Sequence, residues 1–401
     1  MKKYTGMLKE YFILNDKASA RKQAEELYNC ISSISLNFRI GEHPAFIVYC
    51  DELLHELQEI RSINQKIWLV SGKLPPVALN QFLRQAVIEE IHQTNEMENI
   101  HSTRKEISDE MLVIQNGQKG KRFDGMIRKY DLIMHNEEIP MTACQDVRAL
   151  YDSFILEEIE KDDPKDIPDG LFFRKGPVII VKSGTTVHEG IFPESALNQS
   201  MEQALSFLNN TDYDPLIRIA AFHYLFGYIH PFYNGNGRMS RFISSYYLSI
   251  EKIHYLVSLR LSYVIKSHRS QYYSIFKTTN DSRNFGDLTL FVVQFLRFIR
   301  EACEQVLTYL KEKNEIILHY QKILHFMDYE DHTKKLLFVL IQVSVCETES
   351  LSMKELESIS KLSKYMIKKH LEQVNEFLII SHKRKAILYR ANLQKLDTAS
   401  T

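Results

Sequence analysis

The sequence predicts a mainly α-helical protein with one small β-hairpin in its middle and a short helical module with a second hairpin at its carboxyl end. Three observations carry this. Apolar residues recur three or four apart through most of the chain, the spacing of a helix with one buried face. Only one stretch before the carboxyl end, FFRKGPVIIVKSGTTVHEG, clusters β-branched residues (Val178 to Val181, then Thr185 to Val187) around a Ser183-Gly184 turn. The last seventy residues read as three helices, KKLLFVLIQV, SMKELESISKL and SKYMIKKHLEQVNEF, followed by LIISHKRKAILYRAN, two short strands joined by a basic turn.

Taken in order, the first 75 residues read as helical, as in ARKQAEELYNCISSI and VYCDELLHELQEIRSINQKIWLV, up to the turn signal SGKLPP at Ser71 to Pro76. Helical spacing resumes in LNQFLRQAVIEEIHQTNEMEN and again in MTACQDVRALYDSFILEEIE, which runs into the proline-punctuated EKDDPKDIPDG. After the hairpin come the helices PESALNQSMEQALSFLNN and DPLIRIAAFHYLFGYIH, then further helix to about residue 328. The division expected is a helical region over 1–75, a core over 76–310 and a small carboxyl-terminal domain over 330–395. No internal repeat or low-complexity tract interrupts it.

Bulk properties exclude several classes. The formal net charge of -1 over 401 residues argues against a polyanion-binding protein as a whole, so any basic surface must be local. Five widely spaced cysteines without a CxxC pair predict reduced thiols rather than a disulfide framework or a zinc knuckle. The amino terminus, MKKYTGMLKEYFILND, lacks the apolar stretch of a signal peptide, and no run reaches the ~20 apolar residues of a membrane helix. A soluble, cytoplasmic protein without membrane contact is the expectation.

The chemistry concentrates in HPFYNGNGRMSR, residues 230–241. Asp214-Pro215 is a strong helix start, with aspartate as cap and proline in the first helical position. That helix runs to His230, where Pro231 forbids continuation. A histidine at the end of an apolar helix is a rigidly mounted general base with a near-neutral intrinsic pKa. Gly235, Asn236 and Gly237 can turn successive N–H groups toward one point and form a nest for an anion. The helix opened by GRMSRFISSYYLSI presents its positive end there, and Arg238 and Arg241, three apart, share one face able to donate to phosphate oxygens. A base beside a phosphate cradle suits nucleotidyl or phosphoryl transfer to a hydroxyl. His223, seven residues before His230, reads as a core histidine rather than half of a metal site.

This stretch resembles the signature of the Fic family, HPFx(D/E)GNGRxxR, and the resemblance extends over roughly residues 76 to 300, through FHYLFGYIHPF, the hairpin and YYSIFKTTN. It implies a helical Fic fold and transfer of AMP from ATP to a Ser, Thr or Tyr hydroxyl of a target protein. On that resemblance His230 deprotonates the hydroxyl, and Gly235, Asn236 and Gly237 hold the phosphates with Arg238 and Arg241 on the outer ones. Tyr272, Tyr273 and Asn280 match the adenine side, and the hairpin, with Val187 and His188, is the flap that aligns a target peptide by strand addition. The one departure is Asn234, where the signature has Asp or Glu. The family's carboxylate helps hold Mg2+ on the phosphates, so asparagine, which lacks the charge, should weaken the metal.

Upstream, TNEMEN at Thr94 to Asn99 is similar to the family's inhibitory pattern (S/T)xxxE(G/N). This implies a pair between Glu98 and Arg241 that displaces the outer phosphate of ATP. The same glutamate supports AMP removal in some relatives, so removal is a further expectation. At the carboxyl end, three helices and a hairpin follow the order of a winged helix. Lys364, Lys368 and Lys369 lie on its recognition helix, and Lys383, Arg384 and Lys385 in its wing, where they could neutralise DNA phosphates. The wing equally suits a protein partner or a homodimer. The alternative to the transferase is thus a DNA-binding regulator whose Fic core senses a nucleotide.

Overall fold

The computed structural model describes residues 4–135, 137–182, 185–345, 350–383 and 386–399. It is mainly helical, with three small antiparallel sheets among the described residues. Two compact units divide the chain: one joins the residues up to Asn64 with Val87–Cys303, the other joins Gln65–Ala86 with the residues from Glu304 onward.

The elements run α1 (Met7–Leu14), α2 (Lys17–Tyr28), β1 (Ser33–Ile40), β2 (His43–Val48), α3 (Asp51–Ser71), α4 (Pro76–Met97), α5 (Arg104–Gln115), α6 (Asp124–His135), α7 (Cys144–Tyr151), α8 (Glu157–Asp162), β3 (Ile179–Lys182), β4 (Thr185–Glu189) and α9 (Glu194–Leu208). They continue with α10 (Pro215–Ile229), α11 (Asn236–Ile250), α12 (Tyr255–Ser258), α13 (Leu261–Ser267), α14 (Arg269–Asn280), α15 (Thr289–Phe326), α16 (Asp331–Val345), β5 (Leu351–Ser352), α17 (Met353–Ser360), α18 (Lys364–Gln373), β6 (Leu378–Lys383), β7 (Ala386–Ala391) and α19 (Leu393–Ala399).

The larger unit is built around α10 and α11. Asp214 caps α10 by accepting from Leu216 N at 2.9 Å, with Pro215 in the first helical position. Every residue of α10 from Leu216 to Phe226 is buried, so it is a core helix rather than an amphipathic surface one. The expected hairpin is present as β3 and β4, with an irregularity between Ile180 and Val181; its Ser183-Gly184 turn lies outside the described residues.

A second hairpin corrects the helical reading of the first 75 residues. β1 and β2 pair antiparallel, and in SISLNFRI the residues Ile34, Leu36, Phe38 and Ile40 are buried while those between are not. That period of two is a strand signature which the flanking helical pattern obscured. Phe46 N donates to Gly286 O at 3.1 Å and Leu288 N to Phe46 O at 2.8 Å, so the hairpin is tied to the segment before α15. Met7, Ala20, Ala24, Phe46, Val48 and Phe285 form a satellite core under α1 and α2.

In the smaller unit the order is α16-β5-α17-α18-β6-β7, and the sheet order is β5-β7-β6. Leu336, Leu340, Leu356, Ile367, Leu371 and Phe377 fill its interior. Ser352 and Glu355 make a capping box on α17, and Ser363 caps α18 through Met366 N. Lys364, Lys368 and Lys369 are exposed on α18. Arg384 and Lys385 lie outside the described residues, as does the Lys383 side chain. No described helix is long and apolar enough to cross a membrane.

Candidate active site

His230 is the cap residue that ends α10. Its backbone is left-handed (φ 53, ψ 63), and its N–H still donates to Phe226 O at 3.0 Å. The imidazole Nδ1 faces the Gly227 carbonyl at 3.4 Å. A ring that donates its Nδ1 proton there keeps a lone pair on Nε2, the atom left to accept a proton from outside. Burial lowers the ring pKa from 6.5 to about 4, with His188 and Arg174 adding to the shift, while the Gly227 carbonyl and Glu98 oppose it. The ring is therefore neutral at pH 7.

The next turn is closed by its own asparagine. Asn236 Oδ1 accepts from Phe232 N at 3.0 Å and Nδ2 donates to Phe232 O at 2.7 Å, stapling residues 232–236 into a loop. Phe232 anchors the loop by stacking on Tyr151, with centroids 3.8 Å apart. Gly235 sits at φ 82, and a Cβ there would also run into Ile155 Cδ1, so both backbone and space demand glycine. No side chain caps α11. The first-turn N–H groups of that helix thus have no side-chain acceptor and form a positive end open to an anion.

Both arginines of the motif are buried and paired with carboxylates. Arg241, 1% exposed, donates from Nε to Thr94 Oγ1 (2.8 Å) and from Nη2 to Thr94 O (3.0 Å) and Glu98 Oε1 (2.7 Å). Burial works against its charge, but Glu98, Tyr272 and Tyr273 together hold its pKa above the ordinary value. The Glu98 carboxylate lies directly over Gly237, where a Cβ would collide with Oε1. Arg238 pairs instead with Glu158 Oε1 at 3.0 Å, both side chains at most 5% exposed. Glu158 reaches it because a π-helical stretch, Asp152–Leu156, links α7 to α8 and shifts the register that follows.

Glu98 follows directly on α4, which is fixed by a buried carboxylate one turn before Thr94. Glu90 accepts from Ser262 N at 3.1 Å, from Ser262 Oγ and from Tyr130 OH. Burial raises its pKa to about 7. Thr94, Glu98, Gly237 and Arg241 are thereby gathered in one place, with Glu98 also near enough to the His230 ring to influence its charge.

The remaining residues singled out from sequence are more dispersed in role. Tyr272 is buried on α14 with its hydroxyl 2.8 Å from His223 Nε2, whose Nδ1 is 2.9 Å from Ser244 Oγ. His223 is fully buried between these hydroxyls and neutral, with a pKa lowered by burial to about 3. Tyr273 is half-buried with the Arg269 guanidinium 5.8 Å from its ring, and Asn280 Oδ1 accepts from Tyr224 OH at 2.6 Å. His188 turns inward, its Nε2 2.6 Å from Tyr228 O. Val187 lies in β4, and its side chain is outside the described residues.

Asn234 donates from Nδ2 to Asp166 Oδ2 at 3.2 Å. A carboxylate thus stands next to the position where the signature carries its own. Among the described residues no three His, Cys, Asp or Glu side chains converge as a metal site. Asn234 Oδ1 and Asp166 are hard oxygen donors of the kind Mg2+ takes when phosphates supply the rest of its shell. Asp166, Glu158 and Arg174 were not found from sequence. Their only signals were a proline-flanked acidic stretch, an acidic helix end and one arginine after two phenylalanines.

Residues 142–248 match the sequence model of the Fic/DOC family. The chain is 31% identical over 143 residues to the protein called protein adenylyltransferase Fic of Drosophila ananassae, covering 35% of this chain and 24% of that one; the protein of the same name from Drosophila mojavensis gives the same figures. The match therefore spans about a quarter of the length of these curated relatives. The fold resembles the crystal structure of a Fic family protein from Desulfovibrio desulfuricans G20, with a TM-score of 0.53 at 19% identity over 86% of this chain and 97% of that one. With the HPFxxGNGRxxR turn formed as described between α10 and α11, residues 142–248 carry a domain that matches the Fic/DOC family.

Proposed function

We propose that this protein transfers AMP from ATP to a hydroxyl side chain of a target protein and is held off by Glu98. One observation carries the reading: the Glu98 carboxylate occupies the space over Gly237 and pairs with Arg241 at 2.7 Å, where a phosphate would otherwise sit. The relatives named protein adenylyltransferase support the same reaction class.

In this mechanism the triphosphate lies against the first turn of α11 and Arg241, after Glu98 has moved aside. His230 Nε2 takes the proton of the target hydroxyl. The hydroxyl oxygen attacks the α-phosphorus, the bond to the bridging oxygen breaks, and pyrophosphate leaves with AMP esterified to the target. Asn234 and Asp166 would hold Mg2+, which neutralises phosphate charge. Arg238, committed to Glu158, would act on the phosphates through the shape of the turn. AMP removal at the same site is the finer alternative within this class.

The test is transfer of labelled AMP from ATP to protein by wild type, Glu98→Gly and His230→Ala. Glu98→Gly should label strongly and His230→Ala should not. Equal labelling by the two variants across Mg2+ and Mn2+ would sink the transferase reading.

A second reading has its own observation. The sheet order β5-β7-β6 with α16, α17 and α18 is consistent with the expected winged-helix order, and Lys364, Lys368 and Lys369 are exposed on α18. DNA binding through this unit would show an affinity that falls steeply with salt, and a smaller salt slope in the triple alanine variant of these lysines. A regulator with a nucleotide-sensing core would bind ATP and DNA without labelling any protein.

A further inference from the structure

We propose that Arg174 is the positioning residue of the His230 base, a buried guanidinium that locks the base's backbone to both ends of the β3–β4 hairpin. This rests on the reading of His230 as the base. Arg174 is fully buried, yet its partners are three backbone carbonyls: Nε donates to His230 O (2.8 Å), Nη1 to Gly176 O (2.6 Å) and Nη2 to Ile191 O (2.8 Å). Gly176 enters the hairpin and Ile191 leaves it. Among the described residues no carboxylate lies within ion-pair distance of Arg174. A buried charge satisfied only by neutral acceptors is a poor stabilising device. It is a good geometric one, because the planar fork directs three donors at fixed angles.

What the fork holds is unusual backbone. His230 has φ 53, a left-handed region that non-glycine residues enter only at an energetic cost. The carbonyl bonded by Arg174 Nε belongs to that same residue, and Arg174 N also donates to Pro231 O at 3.2 Å. A second tie runs from Ile191 N to Ile229 O at 3.1 Å. The imidazole is therefore aimed by a node whose other two arms are the hairpin stems, and a peptide ordered along the hairpin and the orientation of the base become one mechanical problem. The guanidinium also faces the ring together with His188 from β4, opposed by Glu98 from the end of α4, and its charge favours the neutral imidazole.

The experiment uses the full chain carrying Glu98→Gly, with Arg174→Lys, Arg174→Gln and Arg174→Ala added singly. Melting temperature confirms folding, ATP affinity comes from calorimetry, and the ring of His230 is titrated by NMR. Arg174→Lys keeps charge but not the fork. It should lower the transfer kcat by ~100-fold, the loss typical of an ångström-scale misplacement, with ATP affinity within about twofold. Arg174→Ala should lose as much and regain at least about fivefold on adding guanidinium. In Arg174→Gln and Arg174→Ala the His230 pKa should rise only slightly, because burial, the main cause of its depression, remains. A kcat within about twofold of the parent in Arg174→Lys, or a parallel loss of kcat and ATP affinity with no guanidinium rescue, overturns the proposal. If the Glu98→Gly parent transfers no AMP, it is the transferase reading that fails, and NMR still decides: His230 ring signals that do not shift between the parent and Arg174→Lys reject Arg174 as the residue that positions that ring.

Discussion

Replacing Glu98 tests the proposed regulation most directly, because the structure sets the size of the effect. Glu98 Oε1 meets Arg241 Nη2 at 2.7 Å, with the arginine 1% and the glutamate side chain 30% exposed. A charge-assisted hydrogen bond of this kind contributes about 1.5–3 kcal/mol. Displacing it by the outer phosphate of ATP should therefore weaken ATP affinity by ~10–150-fold at 1.4 kcal/mol per decade. AMP, which lacks that phosphate, need not displace Glu98. Glu98→Gln, nearly isosteric and uncharged, should tighten ATP within that range and leave AMP within about threefold. Glu98→Gly should do the same and also empty the space over Gly237. Calorimetric titration of both nucleotides into wild type and variants reads the difference. ATP and AMP affinities that move together, or an ATP affinity that does not move, would refute the assignment of Glu98 to the outer-phosphate position.

Three further outcomes are expected. His230 has a pKa lowered to about 4, so the neutral, competent ring persists well below pH 6.5. The acid limb of kcat/KM in Glu98→Gly should therefore fall below pH 5, and a limb centred at 6.5 would contradict the buried, neutral ring; by the same linkage, this histidine costs no stability above pH 6.5 and destabilises the fold as pH drops from there toward 4. Asn234→Asp would set two carboxylates side by side, since Asp166 lies 3.2 Å from Asn234 Nδ2. That variant should melt lower in chelator, by about 1–2 kcal/mol, and recover in millimolar Mg2+; a melting temperature indifferent to Mg2+ would argue against these donors. Glu158→Ala leaves the Arg238 charge buried without its partner and should destabilise the domain by about 3–5 kcal/mol in chemical denaturation, a loss under 1 kcal/mol meaning that the pair is not buried as described.

Much of the site was legible because its residues are close in sequence or one helical turn apart. His230, Gly235, Asn236 and Gly237 lie within eight consecutive positions, a length one helix end and one turn can organise without help. Thr94 on α4 and Glu98 just past its end are one helical turn apart in sequence, and both do meet Arg241. Arg174, Asp166 and Glu158 were not legible. Each reaches the motif across 56, 68 or 80 positions, and nothing local marks a partner at such a distance. The hairpin of β1 and β2 was legible in principle, through its alternation at Ile34, Leu36, Phe38 and Ile40, but helical segments on both sides masked a period of two with a period of 3.6.

The linear order of residues alone determined the helical class, the breaking of α10 at Pro231, the turn built on Gly235 and the family to which that turn points. Those features follow from backbone sterics and side-chain periodicity, which act over a few residues. Tertiary structure decided which charges face one another. It set Glu98 rather than solvent against Arg241, committed Arg238 to Glu158, put Asp166 beside Asn234 and buried Arg174 behind His230. Such pairings depend on how whole helices pack, and packing sums over contacts that no short stretch of sequence contains.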